Sequence, residues 1–346
     1  MATTERTDGR PAGQVLAWAR ELVDPALHTA VDTLPSPVRR IAGYHFGWWD
    51  ELGRPLQGAG GGKALRPALA LLAAEAAGGT ADAALPAAVA VELVHNFSLL
   101  HDDVMDGDTT RRHRPTAWSV FGANTAILTG DALLALAADV LAVPGNPDPQ
   151  GTQRMLAATV QDLVAGQLAD LVMEERHDIT VRECLGMAEG KTASLLGCSC
   201  ALGAAFTGAA PDRVAALRGF GARLGLAFQI ADDLLGIWGD PAVTGKPVHS
   251  DLRNRKKTLP VVAALCSGTA AGQELAALYR RADPPTGAEL AHTMTLIERS
   301  GARAWCEERA GALLEDALGA LSSAGPGGRA AGELAALARL AVRRDR

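Results

Sequence analysis

Cysteine is scarce and shows no pairing pattern. The five in 346 residues, Cys184, Cys198, Cys200, Cys266 and Cys306, have neither the CxxC spacing of a zinc site nor the density of a secreted disulfide scaffold. A reducing cytoplasm is the expected compartment. The first residues, MATTERTDGRPAG, lack an apolar stretch and carry acidic side chains, so neither a signal peptide nor a mitochondrial presequence is expected. Basic excess is missing too: 33 Lys and Arg stand against 39 Asp and Glu, a net charge of −6. Bulk nucleic acid, which needs a dense basic face, is therefore not an expected partner, and any anionic ligand must be gripped locally by Lys, Arg or a metal ion. The longest uncharged run, residues 192–211, holds Gly197, Gly203 and Gly208 and ends in proline. It reads as a buried helix pair and not as a membrane span. Long β-branched runs, long polar linkers and fixed-period repeats are also missing, which argues against a sheet, an interdomain hinge and a solenoid.

Alanine and leucine dominate what remains. With 48% apolar and 21% charged residues the chain can bury a large core, which excludes disorder as its main state. Its length permits two domains, but no linker divides it, so one domain over 14–346 is expected behind a flexible segment 1–13. Apolar residues recur at three and four across 15–31, 64–77 and 154–172, which predicts amphipathic helices there. Breakers fall between such windows: Pro35 and Pro37, Gly58 to Gly62, Gly78 and Gly79, Pro144 to Pro149, Pro211, Pro284 and Pro285, and Gly325 to Gly328. The expected fold class is all-α, about a dozen helices joined by short loops.

Chemistry concentrates in two acidic stretches. In HNFSLLHDDVMD, residues 95–106, helical spacing puts Asp102 and Asp106 on one face with Asp103 beside them. Like charges in one turn repel, so a purely structural role must explain a cost in helix stability. A solvated acidic helix end is the plain alternative. A few carboxylates suit Mg²⁺, which keeps waters and completes its shell with substrate phosphates. In GLAFQIADDLLGIWGD, residues 225–240, Asp232 and Asp233 follow another apolar helical stretch, with Gln229 one turn before them and Asp240 two turns beyond Asp232. Weaker signals lie between, Gln167 and Asp170 in GQLAD and Lys191–Thr192 in GKT. Cations flank both stretches: Lys63 and Arg66 in GGGKALRP, Arg111 and Arg112 after the first, and Lys246, Lys256 and Lys257 after the second. Acid beside base, twice over, points to metal-bridged phosphate.

Taken in order, GGGKALRP, HNFSLLHDDVMDGDTTRRHRPT, GQLAD, GKT, GLAFQIADDLLGIWGDPAVTGKP and DLRNRKKT make the chain resemble the trans-isoprenyl diphosphate synthases, the polyprenyl synthase family. The resemblance covers about residues 38–265 and is closest in style to short-chain members that make geranylgeranyl or farnesyl diphosphate. It implies an isoprenoid synthase fold, helices around a deep central cavity, and Mg²⁺-dependent condensation of isopentenyl diphosphate with an allylic diphosphate. It further implies that Asp102, Asp103 and Asp106 hold two Mg²⁺ ions on the allylic diphosphate, that Asp232 holds a third, and that Asp170 adds a ligand on the first side. Arg111, Lys191, Thr192, Gln229 and Lys246 match positions that touch the allylic diphosphate. Lys63, Arg66, His95 and Arg112 match those that grip isopentenyl diphosphate, and Lys256 matches a lysine that helps close the phosphate site, with Lys257 one step out of register. Asp102, Asp103, Lys191, Asp232 and Lys246 form the expected catalytic set. A homodimer without nucleic acid or membrane span is the implied assembly.

Two departures stand out. Gly236 occupies a position where the family usually has aspartate, with Asp240 as candidate substitute, and His113 stands where a glycine often follows the paired arginines. His113 reads as a loop residue without catalytic role. His101 is expected to pack or to orient a carboxylate, Tyr44, Phe46, Trp48 and Trp49 to join the core, Cys198 and Cys200 to be buried hydrophobes, and the tail VRRDR to be solvated. Ahead of the aspartates, the resemblance implies that Phe97 is the floor of the product pocket, and the small Ser98, one turn below the expected metal site, leaves room. One aromatic followed by a small residue resembles the C20 type, so geranylgeranyl diphosphate is the expected product and farnesyl diphosphate the alternative. Two other readings compete. A class I terpene cyclase would use the spacing of Asp232, Gly236 and Asp240, but with the wrong residues at the last two places. A non-catalytic subunit of a heteromeric synthase is opposed by the intact Asp102, Asp103, Asp106, Arg111 and Arg112.

Overall fold

Helix starts and stops follow local chemistry. The computed structural model describes residues 9–56, 62–239, 250–281, 283, 285–325 and 328–343. Helix α1 (Ala12–Asp32) fills the first amphipathic window, burying Val15, Ala19, Val23, Leu27 and Val31 at helical spacing. Helix α2 (Ser36–Phe46) starts behind Pro35 with Pro37 in its first turn, where a missing N–H costs no hydrogen bond. The other two windows become α3 (Leu65–Ala76) and α7 (Pro149–Glu175). Between them lie α4 (Leu85–Met105), a hairpin of β1 (Thr110–Arg111) and β2 (Arg114–Pro115), α5 (Ala117–Phe121) and α6 (Ala123–Val140). After α7 come α8 (Val181–Ala188), α9 (Ser194–Ala205), α10 (Pro211–Trp238), α11 (Ser250–Arg253), α12 (Leu259–Leu265), α13 (Ala270–Tyr279), α14 (Gly287–Arg299), α15 (Ala302–Ser323) and α16 (Arg329–Val342). Helices α8 and α14 open on capping boxes, Thr180 with Glu183 and Thr286 with Glu289. The fold is all-α as expected, and the excess over a dozen helices comes from short ones such as α5 and α11.

The chain divides into two compact units, and the division falls inside α7, α9, α10, α15 and α16. The first unit takes the described residues up to Val160 together with Cys198–Gly219 and Ala320–Leu337. In it α4 packs against α1, α3 and α6, with Leu69, Leu71, Leu72, Leu93, Leu100 and Leu133 fully buried. Its N-terminal edge is tied down by Arg10, which meets the buried carboxylate of Glu333 at 2.7 Å while Arg329 holds the same group at 2.8 Å. The second unit takes Gln161–Gly197, Phe220–Gly319 and the residues from Ala338. One apolar cluster joins Met173, Cys184, Leu226, Ile230, Val262 and Cys306, and a second joins Ile237, Leu252, Leu275, Tyr279, Leu290 and Leu296.

Residues 192–211 do not form a helix pair. They hold one buried helix, α9, which follows a π-helical turn at Glu189–Ala193 and ends in a loop before Pro211. Cys198 and Cys200 are fully buried in it, as expected. Among the described residues three single helices are long and apolar enough to cross a membrane by length and composition, within 82–105, 123–140 and 149–175. In the first of these, 61% of the most apolar window is buried inside the protein.

Candidate active site

In the first unit, α4 delivers its acidic end to the hairpin. Asp103 is 1% exposed, and its Oδ1 accepts a hydrogen bond from Arg111 Nε at 2.6 Å. Its Oδ2 is buried with no partner. Burial, opposed by Arg111, pushes the Asp103 carboxyl up to about 6. Asp102 lies half-buried beside it, and Asp106 caps the helix in an exposed position. The hairpin loop is Arg112–His113, with φ of 52° and 62° at the two residues. A two-residue hairpin loop takes this left-handed conformation, which glycine adopts without strain, so His113 sits where the family's glycine is the relaxed choice.

The basic residues of this unit converge around buried polar groups. Arg66, in the first turn of α3, keeps a buried Nε without a partner, and burial lowers its guanidinium to about 10. His95 is held as neutral imidazole: burial, then Arg66, Arg112 and Arg111, lower it well below the ordinary value. A neutral imidazole can donate one N–H to a phosphate oxygen. Sequence reasoning missed His45, which lines a cavity of about 120 Å³ with Tyr44, Asp103, Arg111, Arg112 and Arg114. Burial and the arginines lower His45 to about 3. Asn96 spends its amide nitrogen on the Glu92 carbonyl at 2.8 Å and on Glu92 Oε1 at 3.1 Å. Its oxygen therefore accepts from His45 Nε2, 3.1 Å away. No sequence pattern marks this chain of contacts, because His45 and Asn96 lie 51 residues apart.

In the second unit, α7 and the π turn place the GQLAD and GKT residues together. Lys191 Nζ meets Asp170 Oδ2 at 2.6 Å, and Lys256 Nζ lies 4.0 Å from the same oxygen. A side chain at Gly166 would collide with the backbone at Lys191, so the glycine allows the approach, and π turns of this kind recur at functional sites. Lys257 is spent elsewhere: its Nζ donates to the carbonyls of Met173 and Glu174 at 2.9 and 2.7 Å, closing the end of α7. Thr192 donates to Gln229 Oε1 at 2.7 Å, and Gln229 Nε2 donates to Asp233 Oδ1 at 2.7 Å. Asp233 Oδ2 accepts from the backbone N–H of Leu259 at 2.9 Å. Burial raises Asp233 to about 7, and its two oxygens are committed to these contacts. Asp232, its neighbour, is less buried. The carboxylate of Asp251, from α11, reaches into the space into which a side chain at Gly236 would project. Asp240 and Lys246 lie outside the described residues. Gln167 buries both its amide oxygen and its amide nitrogen without a partner, a polar group the spacing argument left without a role.

Several smaller expectations meet the structure here. His101 orients none of the clustered aspartates; its Nε2 lies 3.0 Å from the Ile127 carbonyl and 3.6 Å from Asp131. Its ring meets Phe97 edge-on, centroids 4.8 Å apart. Phe97 is buried, and Ser98 Oγ donates back to the His95 carbonyl at 2.8 Å. Tyr44 and Phe46 are core residues while Trp48 and Trp49 are only partly buried, and the Tyr44 face carries the Arg114 guanidinium at 4.6 Å.

Among the described residues no three His, Cys, Asp or Glu side chains form a ready-made metal cage. An ion shared with phosphate oxygens needs no such cage, and the unpartnered, buried Oδ2 of Asp103 with Asp102 and Asp106 in the same turn is a donor set that fits Mg²⁺.

A family model described as polyprenyl synthetase matches residues 51–297. Two proteins of Mycobacterium tuberculosis, a (2E,6E)-farnesyl diphosphate synthase and a geranylgeranyl diphosphate synthase, are each 46% identical over 334 residues, covering 96% of this chain and 93% of theirs. The crystal structure of a polyprenyl synthetase from Streptomyces coelicolor superposes with a TM-score of 0.91 at 46% identity, over 95% of this chain and 99% of that one.

Proposed function

Because the chain belongs to the polyprenyl synthetase family and is a short-chain trans-prenyl diphosphate synthase, we propose that its product is geranylgeranyl diphosphate, made from isopentenyl diphosphate and an allylic diphosphate. The carrying observation is the pair Phe97–Ser98 ahead of the aspartates, one buried aromatic followed by a small side chain whose hydroxyl is folded back onto α4. Farnesyl diphosphate is the second reading, favoured by the equally identical relative of that name. Product analysis with Mg²⁺, isopentenyl diphosphate and allylic starters of five to twenty carbons decides between them.

The proposed roles follow the chemistry of each group. Asp102, Asp103, Asp106, Asp170 and Asp232 hold Mg²⁺, three ions when diphosphate is bound, and the ions supply electrostatic stabilisation of the departing diphosphate. Arg111, Lys191, Thr192, Gln229 and Lys246 bind the allylic diphosphate, and Lys256 helps close that site. Lys63, Arg66, Arg112 and the neutral His95 grip isopentenyl diphosphate. The protein supplies no nucleophile: the allylic cation left by ionisation is attacked by the isopentenyl double bond, and the released diphosphate takes the final proton. Packed apolar helices exclude the water that would capture the cation.

Changing Arg66 to alanine should raise the KM for isopentenyl diphosphate about tenfold and that for the allylic substrate less than twofold, because a condensing enzyme needs a second anion site without metals of its own. Equal effects on both would favour the cyclase reading. The assembly proposed is a cytoplasmic homodimer. Val164, Leu168 and Val172 stand 50%, 62% and 49% exposed at one-turn intervals along α7, an apolar stripe of the kind a large subunit interface covers. Light scattering should return twice the 35.8 kDa chain mass, and the single mass across micromolar concentrations would reject the dimer.

A further inference from the structure

Arg20 belongs to none of the motifs above, yet it reaches from α1 to the chain just ahead of Lys63. Its guanidinium donates to the Gly62 carbonyl at 2.6 Å, a short charge-assisted bond to the peptide that immediately precedes Lys63. Gly62 meets a second arginine as well. A Cβ there would lie 2.8 Å from the Arg112 guanidinium, so that group packs directly on the bare α-carbon. One residue beyond Lys63, Ala64 has φ 53°, a left-handed conformation that is unfavourable for an alanine and persists only where its surroundings impose it.

Packing alone does not impose it. A cavity of about 350 Å³ lined by Arg20, Asp24, Trp48, Gly62, Glu92 and Arg112 adjoins the turn, so close packing does not hold the peptide where it meets that space. Asp24 and Glu92 face that cavity and supply the countercharge for the two arginines. We infer that Arg20 is a positioning residue for the homoallylic substrate: by fastening the Gly62 carbonyl it sets the direction in which Lys63 and Arg66 leave the strained turn at Ala64. The inference rests on the assignment of Lys63, Arg66 and Arg112 to isopentenyl diphosphate.

The test is steady-state kinetics on the full chain, with isopentenyl and geranyl diphosphate varied separately. Arg20→Ala should raise the KM for isopentenyl diphosphate about tenfold while kcat and the KM for geranyl diphosphate stay within about twofold. Arg20→Lys, which keeps one charged donor, should recover part of the loss. A residue that only braced α1 would lower the melting temperature and move both KM values together, and that result overturns the inference, as does an unchanged KM for isopentenyl diphosphate. Arg66→Ala run in parallel separates the two failures. If it raises that KM and Arg20→Ala does not, only the latch is wrong; if neither does, the substrate assignment falls and the latch with it. Should Arg20→Ala not fold, Arg20→Met decides, since it keeps the length of the side-chain stem and removes the donor to the Gly62 carbonyl: the same selective rise supports the latch, and its absence rejects it.

Discussion

Replacing Asp103 by alanine should lower kcat by at least about a hundredfold, equivalent to about 2.7 kcal/mol of transition-state stabilisation, with little change in folding stability. The geometry separates the two effects. A carboxylate that is 1% exposed and leaves one oxygen unpaired is costly to keep in the absence of a cation, so its removal takes away a burdened group and not a structural support. Arg111 loses its partner but is itself half-exposed and can be solvated. On the proposed function this carboxylate would hold Mg²⁺ against the diphosphate, and in the alanine variant the charge that develops on the leaving group would lack part of its stabilisation. Asp103→Asn keeps the volume and one acceptor, and should fall between alanine and the parent. Turnover of Asp103→Ala within about threefold of the parent at saturating Mg²⁺ would show that the carboxylate is not part of the chemistry.

How far the sequence carries depends on whether a contact is local. Helices α1, α3 and α7 were legible because apolar spacing and the Pro and Gly breakers act within a few residues, and the ordered motifs were legible because each lies on one helix or loop. Lys256 and Lys257 could not be told apart by spacing; the contacts of Lys257 run to carbonyls 84 and 83 residues away. The neighbour of Gly236 likewise comes from another element, the Asp251 carboxylate of α11, and spacing within one motif does not show it. His45, Glu92 and Arg20 escape notice for the same cause, since a lone histidine, glutamate or arginine on an amphipathic helix looks like any surface residue until its partner is known. The two compact units leave no compositional trace either, because the division falls within helices and no linker is needed.

Product length should respond in opposite directions to two adjacent substitutions. Phe97 is 6% exposed and braced by the His101 ring, which is itself fixed on the Ile127 carbonyl at 3.0 Å, so the aromatic is a rigid obstacle and not a movable gate. Ser98 presents almost no bulk, its hydroxyl being turned back to the His95 carbonyl. On the proposed function a prenyl tail growing along α4 from the aspartates would pass Ser98, one turn below Asp102, with Phe97 on the adjoining face as the floor. Overpacking by a methylene or two costs about 1–3 kcal/mol, enough to make each further addition slower than release. Phe97→Ala should therefore shift the product from twenty carbons to longer chains, and Ser98→Phe should stop it at fifteen. Truncating a buried phenylalanine also costs about 3–5 kcal/mol of stability, so Phe97→Leu, which lowers the floor with a smaller cavity, is the companion variant and should lengthen the product in part. Chromatography of the dephosphorylated products reads all three, and an unchanged chain-length distribution in the variants would place the floor of the pocket elsewhere.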